Sequence, residues 1–294
     1  MQPFEYSRPT TIAEALALLT ATDAWPLAGG TDLITDLREG RCKARHVVDL
    51  KHIPELVSIT REQAGGWHIG AAAPLSSLAR HAEIANEHPG LAEAAGLVGS
   101  LQVQNRASLG GNLCTATPSG DTLPILFSLG AQVEIAGADG RRRVPISTIP
   151  TGPRRTSLAP SELVTGFILP QKPQRSAARY QRFTPRREMD IAIAGAASML
   201  ALSPDGTITD ARITLASVAP VPLEARRAAA ELIGARPSPE LLVAAAATAA
   251  GETAPISDTR ASADYRRHLS GVLTRRTLEA CLADINRQGH AARA

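Results

Sequence analysis

The most restrictive feature of this 294-residue chain is two of its three glycine doublets, Gly29-Gly30 and Gly110-Gly111, each set just after a short apolar stretch. Glycine admits positive φ and lets a second backbone or an anion come close. Thr31 and Asp32 follow the first doublet, and Ser108 and Asn112 flank the second. Successive N–H groups in such a turn form a nest for phosphate oxygens. Thr31, Ser108, Asn112 and Thr115 offer side-chain groups able to hydrogen-bond there. Two such nests facing one another suit a diphosphate. A single doublet is more often an ordinary turn, because glycine is a common turn residue.

The patterns that do not occur narrow the reading further. No two glycines are separated by one residue, so the G-x-G-x-x-G fingerprint of a Rossmann fold is excluded. There is no G-x-x-x-x-G-K-[ST] either, which excludes a P-loop. A dinucleotide bound here needs another loop geometry.

Composition removes other classes. With 44% hydrophobic and 20% charged residues, the chain has the makings of a core. Its 31 Lys+Arg and 28 Asp+Glu are scattered, and aromatics are 3%, so neither a basic stripe nor a stacking platform for nucleic acid is present. Residues 1–5 read as no secretory leader. The longest apolar run, 241–250, falls short of the ~20 residues of a membrane span. The expectation is a soluble cytoplasmic protein. Cys42, Cys114 and Cys281 are far apart and form no C-x-x-C, so no metal site built by this chain alone is expected. Cys114 reads as a small packing residue.

Local patterns place the doublets on elements. Thr11-x-x-Glu14 reads as a capping box before a helix carrying Ile12, Leu16 and Leu19. A strand over 25–28 leads through Gly29-Gly30-Thr31-Asp32 into a helix over 33–37, and a strand follows over 46–50. This β-α-β alternation makes a first lobe, 1–56. In a second lobe, 57–176, a strand lies over 67–71, helices over 75–86 and 91–98, and a glycine-rich segment over 108–121. A strand over 132–136 turns through Asp139-Gly140 into 144–146, a hairpin signal, and another strand lies over 162–169. The third section, 177–294, has strands over 191–202 and 207–218, then Ala-rich helices over 223–233, 239–250 and 264–286. Sheet followed by helices argues for an α+β class.

Pro26-Leu27-Ala28-Gly29-Gly30-Thr31-Asp32-Leu33 resembles the first diphosphate loop of the FAD-binding subunits of molybdenum hydroxylases, the family of the carbon monoxide dehydrogenase medium subunit and the xanthine dehydrogenase FAD subunit. The run from Ala107 through Ser108-Leu109-Gly110-Gly111-Asn112 to Asp121 resembles their second flavin loop. The likeness continues through Pro150–Leu158, 162–170 and Arg186–Ala192, so it covers nearly the whole chain. It implies a vanillyl-alcohol-oxidase-type (PCMH-type) FAD-binding domain of two α/β subdomains. A C-terminal three-stranded antiparallel sheet with a helix bundle would follow.

The resemblance also implies site residues. Leu27, Ala28, Gly29, Gly30, Thr31, Asp32 and Leu33 would wrap the FAD diphosphate. Ser108, Leu109, Gly110, Gly111, Asn112 and Thr115 would complete the wrap. Asp121 would hold the adenosine ribose or a neighbouring group, and Leu163 or Val164 would line the adenine pocket. Arg182 would stand near the flavin pyrimidine edge, where a cation stabilises the charge of reduced flavin. Read from the residues alone, Arg182 is equally a solvated surface arginine, and Asp121 equally a helix cap. The Arg186-Arg187-Glu188 cluster reads as a solvated or ion-paired face.

No residue need act as a general acid or base, and no metal site is expected on this chain. Asp121 runs straight into Thr122, without the four-cysteine insertion that some relatives carry for an extra 4Fe–4S cluster. The implied partners are a small subunit with 2Fe–2S clusters and a large molybdopterin subunit, as a dimer of heterotrimers. The implied acceptor is NAD, oxygen, a quinone or another carrier. Two alternatives stand beside this reading: a stand-alone FAD oxidase of the same fold, and a non-enzymatic interaction subunit.

Overall fold

The structure is a computed structural model that describes residues 2–291. The chain forms two compact units and crosses between them more than once. Unit 1 comprises Met1–Leu78, Ser100–Ala116 and Ala131–Gln171. Unit 2 comprises Ala79–Gly99, Thr117–Gly130 and Lys172–Ala294. Elements are numbered along the whole chain.

Unit 1 opens with a small parallel sheet. Its strands are β1 (Glu5–Ser7), β2 (Ala24–Leu27) and β3 (His46–Asp49), in the order β1-β3-β2. Helices α1 (Ile12–Leu19) and α2 (Leu33–Glu39) make the crossovers. Thr11 caps α1 by accepting from the Glu14 N–H at 3.2 Å. Glu14 reaches back one residue further than a standard capping box, to the Thr10 N–H at 2.8 Å. Gly40 ends α2 in the left-handed region, φ 71°, which glycine tolerates without strain.

The larger sheet of unit 1 is antiparallel. It consists of β4 (Ile59–Arg61), β5 (Trp67–Gly70), β6 (Gln132–Gly137), β7 (Gly140–Pro145) and β10 (Leu163–Leu169). The strand order is β4-β5-β10-β6-β7. The β6–β7 hairpin turns where Asp139-Gly140 predicts it, with Gly140 at φ 103°. A two-stranded hairpin, β8 (Pro150–Gly152) and β9 (Arg155–Thr156), lies apart from this sheet. Short helices α3 (Pro54–Val57), α4 (Leu75–Ala79), α7 (Leu101–Gln104) and α8 (Leu109–Thr115) fill the connections. Ile12, Ala15, Val48, Leu56, Ala72 and Leu163 share one apolar cluster, which ties the two sheets of this unit together.

Unit 2 contains α5 (Ala82–Glu87), α6 (Pro89–Leu97) and α9 (Thr122–Ser128). Its antiparallel sheet has β11 (Ser176–Phe183), β12 (Ala194–Leu202), β13 (Ile208–Ala216) and β14 (Leu223–Glu224), in chain order. Helices α10 (Arg226–Leu232), α11 (Pro239–Glu252) and α12 (Ala263–Ala291) complete it. Leu200, Ile213, Leu215, Leu232, Leu242 and Leu278 lie in one core cluster between sheet and helices.

The α+β class and the C-terminal sheet with helices agree with the sequence reading, with local differences. The sheet has three long strands plus the two-residue rung β14, where the sequence suggests helix from 223. The helix expected over 75–86 is two helices. The chain bends at His81, which is extended and caps α5 through Nδ1 to the Ile84 N–H at 3.5 Å. No helix of the described residues is long and apolar enough to cross a membrane.

Candidate functional site

The first glycine loop sits at the carboxyl end of the parallel sheet, the end where open α/β sheets place their ligands. Leu27 closes β2 opposite Asp49 of β3. The chain then passes Ala28, Gly29, Gly30, Thr31 and Asp32 before α2 starts at Leu33. Gly30 has φ 77°, a conformation that costs an L side chain roughly 1–2 kcal/mol. Gly29 is glycine for a different reason. A Cβ there would stand 2.8 Å from Ala107 Cα and closer still to the Arg106 carbonyl. The first loop is therefore pressed directly against the backbone that leads into the second.

The second glycine segment is a helix start rather than an open turn. Ser108 is the N-cap of α8 and accepts from the Gly111 N–H at 3.1 Å. The Gly110 N–H donates to the Ala71 carbonyl at 2.9 Å. A Cβ at Gly110 would meet that carbonyl oxygen at 2.6 Å and Ala71 Cβ at 2.9 Å. Leu109 and Leu113, one turn apart, are buried and anchor the helix. Cys114, next along the helix, is accessible at the surface, although surrounding protein pushes its thiol up to about 12.

The two segments meet, as expected. Thr115 Oγ1 donates to the Gly111 carbonyl at 2.8 Å and lies 3.3 Å from Asp32 Oδ2 of the first loop. A third element latches both. Arg154, at φ 58° in the β8–β9 turn, donates its N–H to the carbonyl of Ala116, the C-cap of α8, at 2.9 Å. Its guanidinium pairs with Asp36 of α2. Sequence reading covers Arg154 only as part of the Pro150–Leu158 motif and gives it no role.

The donors in the two segments are not equally available. In the second, Ser108 Oγ and Ala71 O take the Gly111 and Gly110 N–H groups, so the expected pair of open nests is not symmetrical. In the first, Asp32 makes no side-chain cap bond to α2. Among the described residues, no protein acceptor is assigned to the N–H groups of Gly30, Thr31, Asp32 or Leu33. These amides are oriented donors at a helix start, suited to an anion.

Gly111 tests whether the cradle fits a diphosphate. Gly29, Gly30 and Gly110 are explained by packing or φ. A Cβ at Gly111 would meet only its own cap, Ser108 Oγ, at 3.4 Å. A glycine inside a helix costs about 1 kcal/mol relative to alanine. Here nothing inside the protein requires it, and Gly111 lies one turn before Thr115, whose hydroxyl is 3.3 Å from Asp32 Oδ2 of the first loop. The residues present fit a phosphate-bearing ligand.

The remaining candidates lie on other elements, and Ala28 of the first loop packs against the apolar cluster that holds Leu163. Leu163 and Val164 are on β10, 5% and 3% exposed, and Leu163 is part of the apolar cluster of unit 1. Asp121 and Arg182 are in unit 2, and they form a buried ion pair. Asp121 precedes α9 but makes no cap bond, so it is not a helix cap. Its Oδ1 accepts from the Tyr180 hydroxyl at 2.8 Å and its Oδ2 from the Arg182 guanidinium. Burial pushes the Asp121 carboxyl up to about 6, against the pull of Arg182 and Tyr180. The Arg182 side chain is 5% exposed, which removes the solvated alternative. Gly195 makes the socket for Tyr180, since a Cβ there would stand 2.7 Å from its hydroxyl. Tyr180 is absent from the sequence-based set because a tyrosine on a strand carries no motif. By contrast, Arg186 is exposed and paired with Asp190, a surface cluster as expected.

Comparison with known proteins identifies the family. Residues 2–172 match the family model "FAD binding domain in molybdopterin dehydrogenase", and residues 179–281 match "CO dehydrogenase flavoprotein C-terminal domain". The chain is 36% identical to the carbon monoxide dehydrogenase medium chain of Afipia carboxidovorans, covering 94% of this chain and 96% of that one. It is 31% identical to a putative xanthine dehydrogenase FAD-binding subunit of Escherichia coli K12, over 95% and 96% of the two chains. A solved carbon monoxide dehydrogenase from Hydrogenophaga pseudoflava, lacking the Mo-pyranopterin moiety of its molybdenum cofactor, superposes with TM-score 0.91 at 33% identity, over 96% of this chain and 99% of that one. Quinoline 2-oxidoreductase from Pseudomonas putida 86 gives TM-score 0.89 at 27% identity, over 97% and 98%. The chain belongs to the family of FAD-binding medium subunits of molybdenum hydroxylases such as carbon monoxide dehydrogenase and xanthine dehydrogenase.

Proposed function

We propose that this flavoprotein subunit is the electron relay between 2Fe–2S clusters on a partner subunit and an external acceptor, with bound FAD supplying the two-electron store. The reading rests first on Gly111, the one glycine of the cradle that packing inside the protein does not demand. The amides at Gly30–Leu33 take the diphosphate, and Thr31, Ser108, Asn112 and Thr115 supply hydroxyl and amide groups around it. Arg154 holds the two loop helices in register through Asp36 and Ala116. Leu163 and Val164 of β10 serve the adenine end. Asp121 acts through Arg182 rather than on a ribose, because both of its oxygens are engaged within unit 2.

In this reading the small subunit carries the 2Fe–2S clusters and the large one a molybdopterin cofactor, where substrate is oxidised. The assembly is a cytoplasmic dimer of heterotrimers. The division of labour is supported by the relatives themselves, which are called medium chains and FAD-binding subunits. The test is purification of the chain from its native host under mild conditions. Co-elution with iron and molybdenum in fixed ratio is expected. A chain that elutes with flavin but neither metal, and that oxidises a substrate by itself, would establish the stand-alone oxidase instead.

A further inference from the structure

The cradle has a charge deficit. Between Pro26 and Leu33, and between Ser108 and Thr115, there is no lysine or arginine and one carboxylate, Asp32. The diphosphate of FAD carries two negative charges at neutral pH. Backbone amides solvate an anion but bring no net charge. The cation beside the loops that the structure makes conspicuous, Arg154, is already paired with Asp36.

Two other cations of unit 1 converge on the cradle. Lys51 follows β3 by two residues, at the same sheet end as Leu27, since Leu27 pairs with Asp49. Its Nζ donates to the Ala72 carbonyl at 2.8 Å. The neighbouring carbonyl, that of Ala71, is the one that braces Gly110. Lys51 is therefore fixed one peptide away from the second loop and at the strand end that starts the first. Arg106 is the other. Its carbonyl packs on Gly29, and its guanidinium lies near enough to act on Lys51.

Neither cation has a carboxylate within ion-pair distance among the described residues. Asp49, the acid closest in sequence, is committed elsewhere. Its Oδ2 accepts from the Tyr6 hydroxyl at 2.6 Å, and its Oδ1 accepts from the Lys51 backbone N–H at 3.0 Å. Half-burial, and then Arg106, push the Lys51 ammonium down to about 8, with Asp49 only partly opposing. A half-buried lysine beside an arginine is unfavourable by itself and becomes favourable once an anion arrives.

We propose that Lys51, seconded by Arg106, supplies the positive charge for the cradle and binds the FAD diphosphate. This rests on the FAD reading above and adds a residue that neither glycine motif contains. Lys51 binds as a point charge on a short tether, with one N–H held by Ala72 and two left for phosphate oxygens.

The test is titration of the apo full-length chain with FAD at low and moderate salt, with inorganic pyrophosphate as competitor. Wild type, Lys51→Gln, Lys51→Arg and Arg106→Gln are compared, each checked for folding by circular dichroism. Lys51→Gln is expected to weaken FAD at least about tenfold, the scale of one charge-assisted hydrogen bond. It is also expected to flatten the salt dependence and to abolish competition by pyrophosphate, while Lys51→Arg restores part of each. Arg106→Gln changes an exposed side chain, so it tests the charge even if Lys51→Gln folds poorly. Affinities and salt slopes equal to wild type in the folded glutamine variants would overturn the proposal and leave the FAD reading standing. A wild-type chain that takes up no FAD would overturn both.

Discussion

Gly29-Gly30 and Gly110-Gly111 look alike in sequence and do different work in the structure. Gly29-Gly30 makes a true loop, one residue packed on backbone and the other at φ 77°, followed by a helix without a side-chain cap. Gly110-Gly111 lies inside the first turn of a capped helix, with one glycine pressed on Ala71 and the other meeting only Ser108 Oγ at ordinary contact distance. The first segment leaves its amides without a protein acceptor among the described residues, and the amides of Gly110 and Gly111 in the second are both taken. Glycine can therefore be required by the fold, by the backbone angle or by the ligand, and a stability measurement separates these cases.

The largest effect is expected at Gly110. Valine there would drive a branched side chain into the Ala71 carbonyl, already 2.6 Å from the first added carbon. The expected cost is about 3 kcal/mol or more, the upper range of overpacking, read by urea denaturation of the apo chain. A midpoint unchanged from wild type would contradict the close packing of α8 on Ala71. Gly29→Ala presses a smaller group against Arg106 and Ala107 and should cost about 1–3 kcal/mol in the same assay. Equal stability would mean that the loops are not in contact.

Gly111→Ala sharpens the contrast because its sign is opposite. With only Ser108 Oγ at 3.4 Å to meet, alanine should stabilise the apo chain by up to about 1 kcal/mol through helix propensity. The same change should weaken FAD. A variant both more stable and equally tight would show that Gly111 does not face the cofactor.

The smallest effect is a pH dependence. The Lys51 ammonium titrates at about 8 in the apo chain, facing Arg106, Asp49 and, across Asp49, Tyr6 and His52. An anion favours the protonated form, so FAD affinity should be full below about pH 8 and fall as pH rises through it. Isothermal titration calorimetry at pH 7 and pH 9 reads the change together with proton uptake. Lys51→Arg should lose this dependence, since arginine stays charged.

Much of this was legible in the sequence where local rules decide the outcome. The Asp139-Gly140 hairpin, the Thr11 cap and the strand–loop–helix around Gly29-Gly30 follow from turn and cap chemistry. Pairing between distant segments was not legible. The three-residue strands β1 and β4 are too short to show a period and exist because β3 and β5 offer partners. Lys51 and Tyr180 carry no motif, and their positions come from register and packing. The status of Asp121 was left between cap and ligand by the sequence. In the structure it is neither a cap nor open, because Tyr180 and Arg182 reach it across 59 and 61 residues of chain.

The central claim is that the Gly29-Gly30 and Gly110-Gly111 segments of this chain hold FAD. The most direct measurement is the visible absorption spectrum of the purified chain, with acid release and identification of the flavin, on wild type and Gly111→Val. Bands near ~370 and ~450 nm and about one FAD per wild-type chain are expected, with a folded, colourless Gly111→Val variant. A folded wild-type chain that stays colourless after incubation with FAD, or a Gly111→Val variant that keeps stoichiometric FAD, would contradict it.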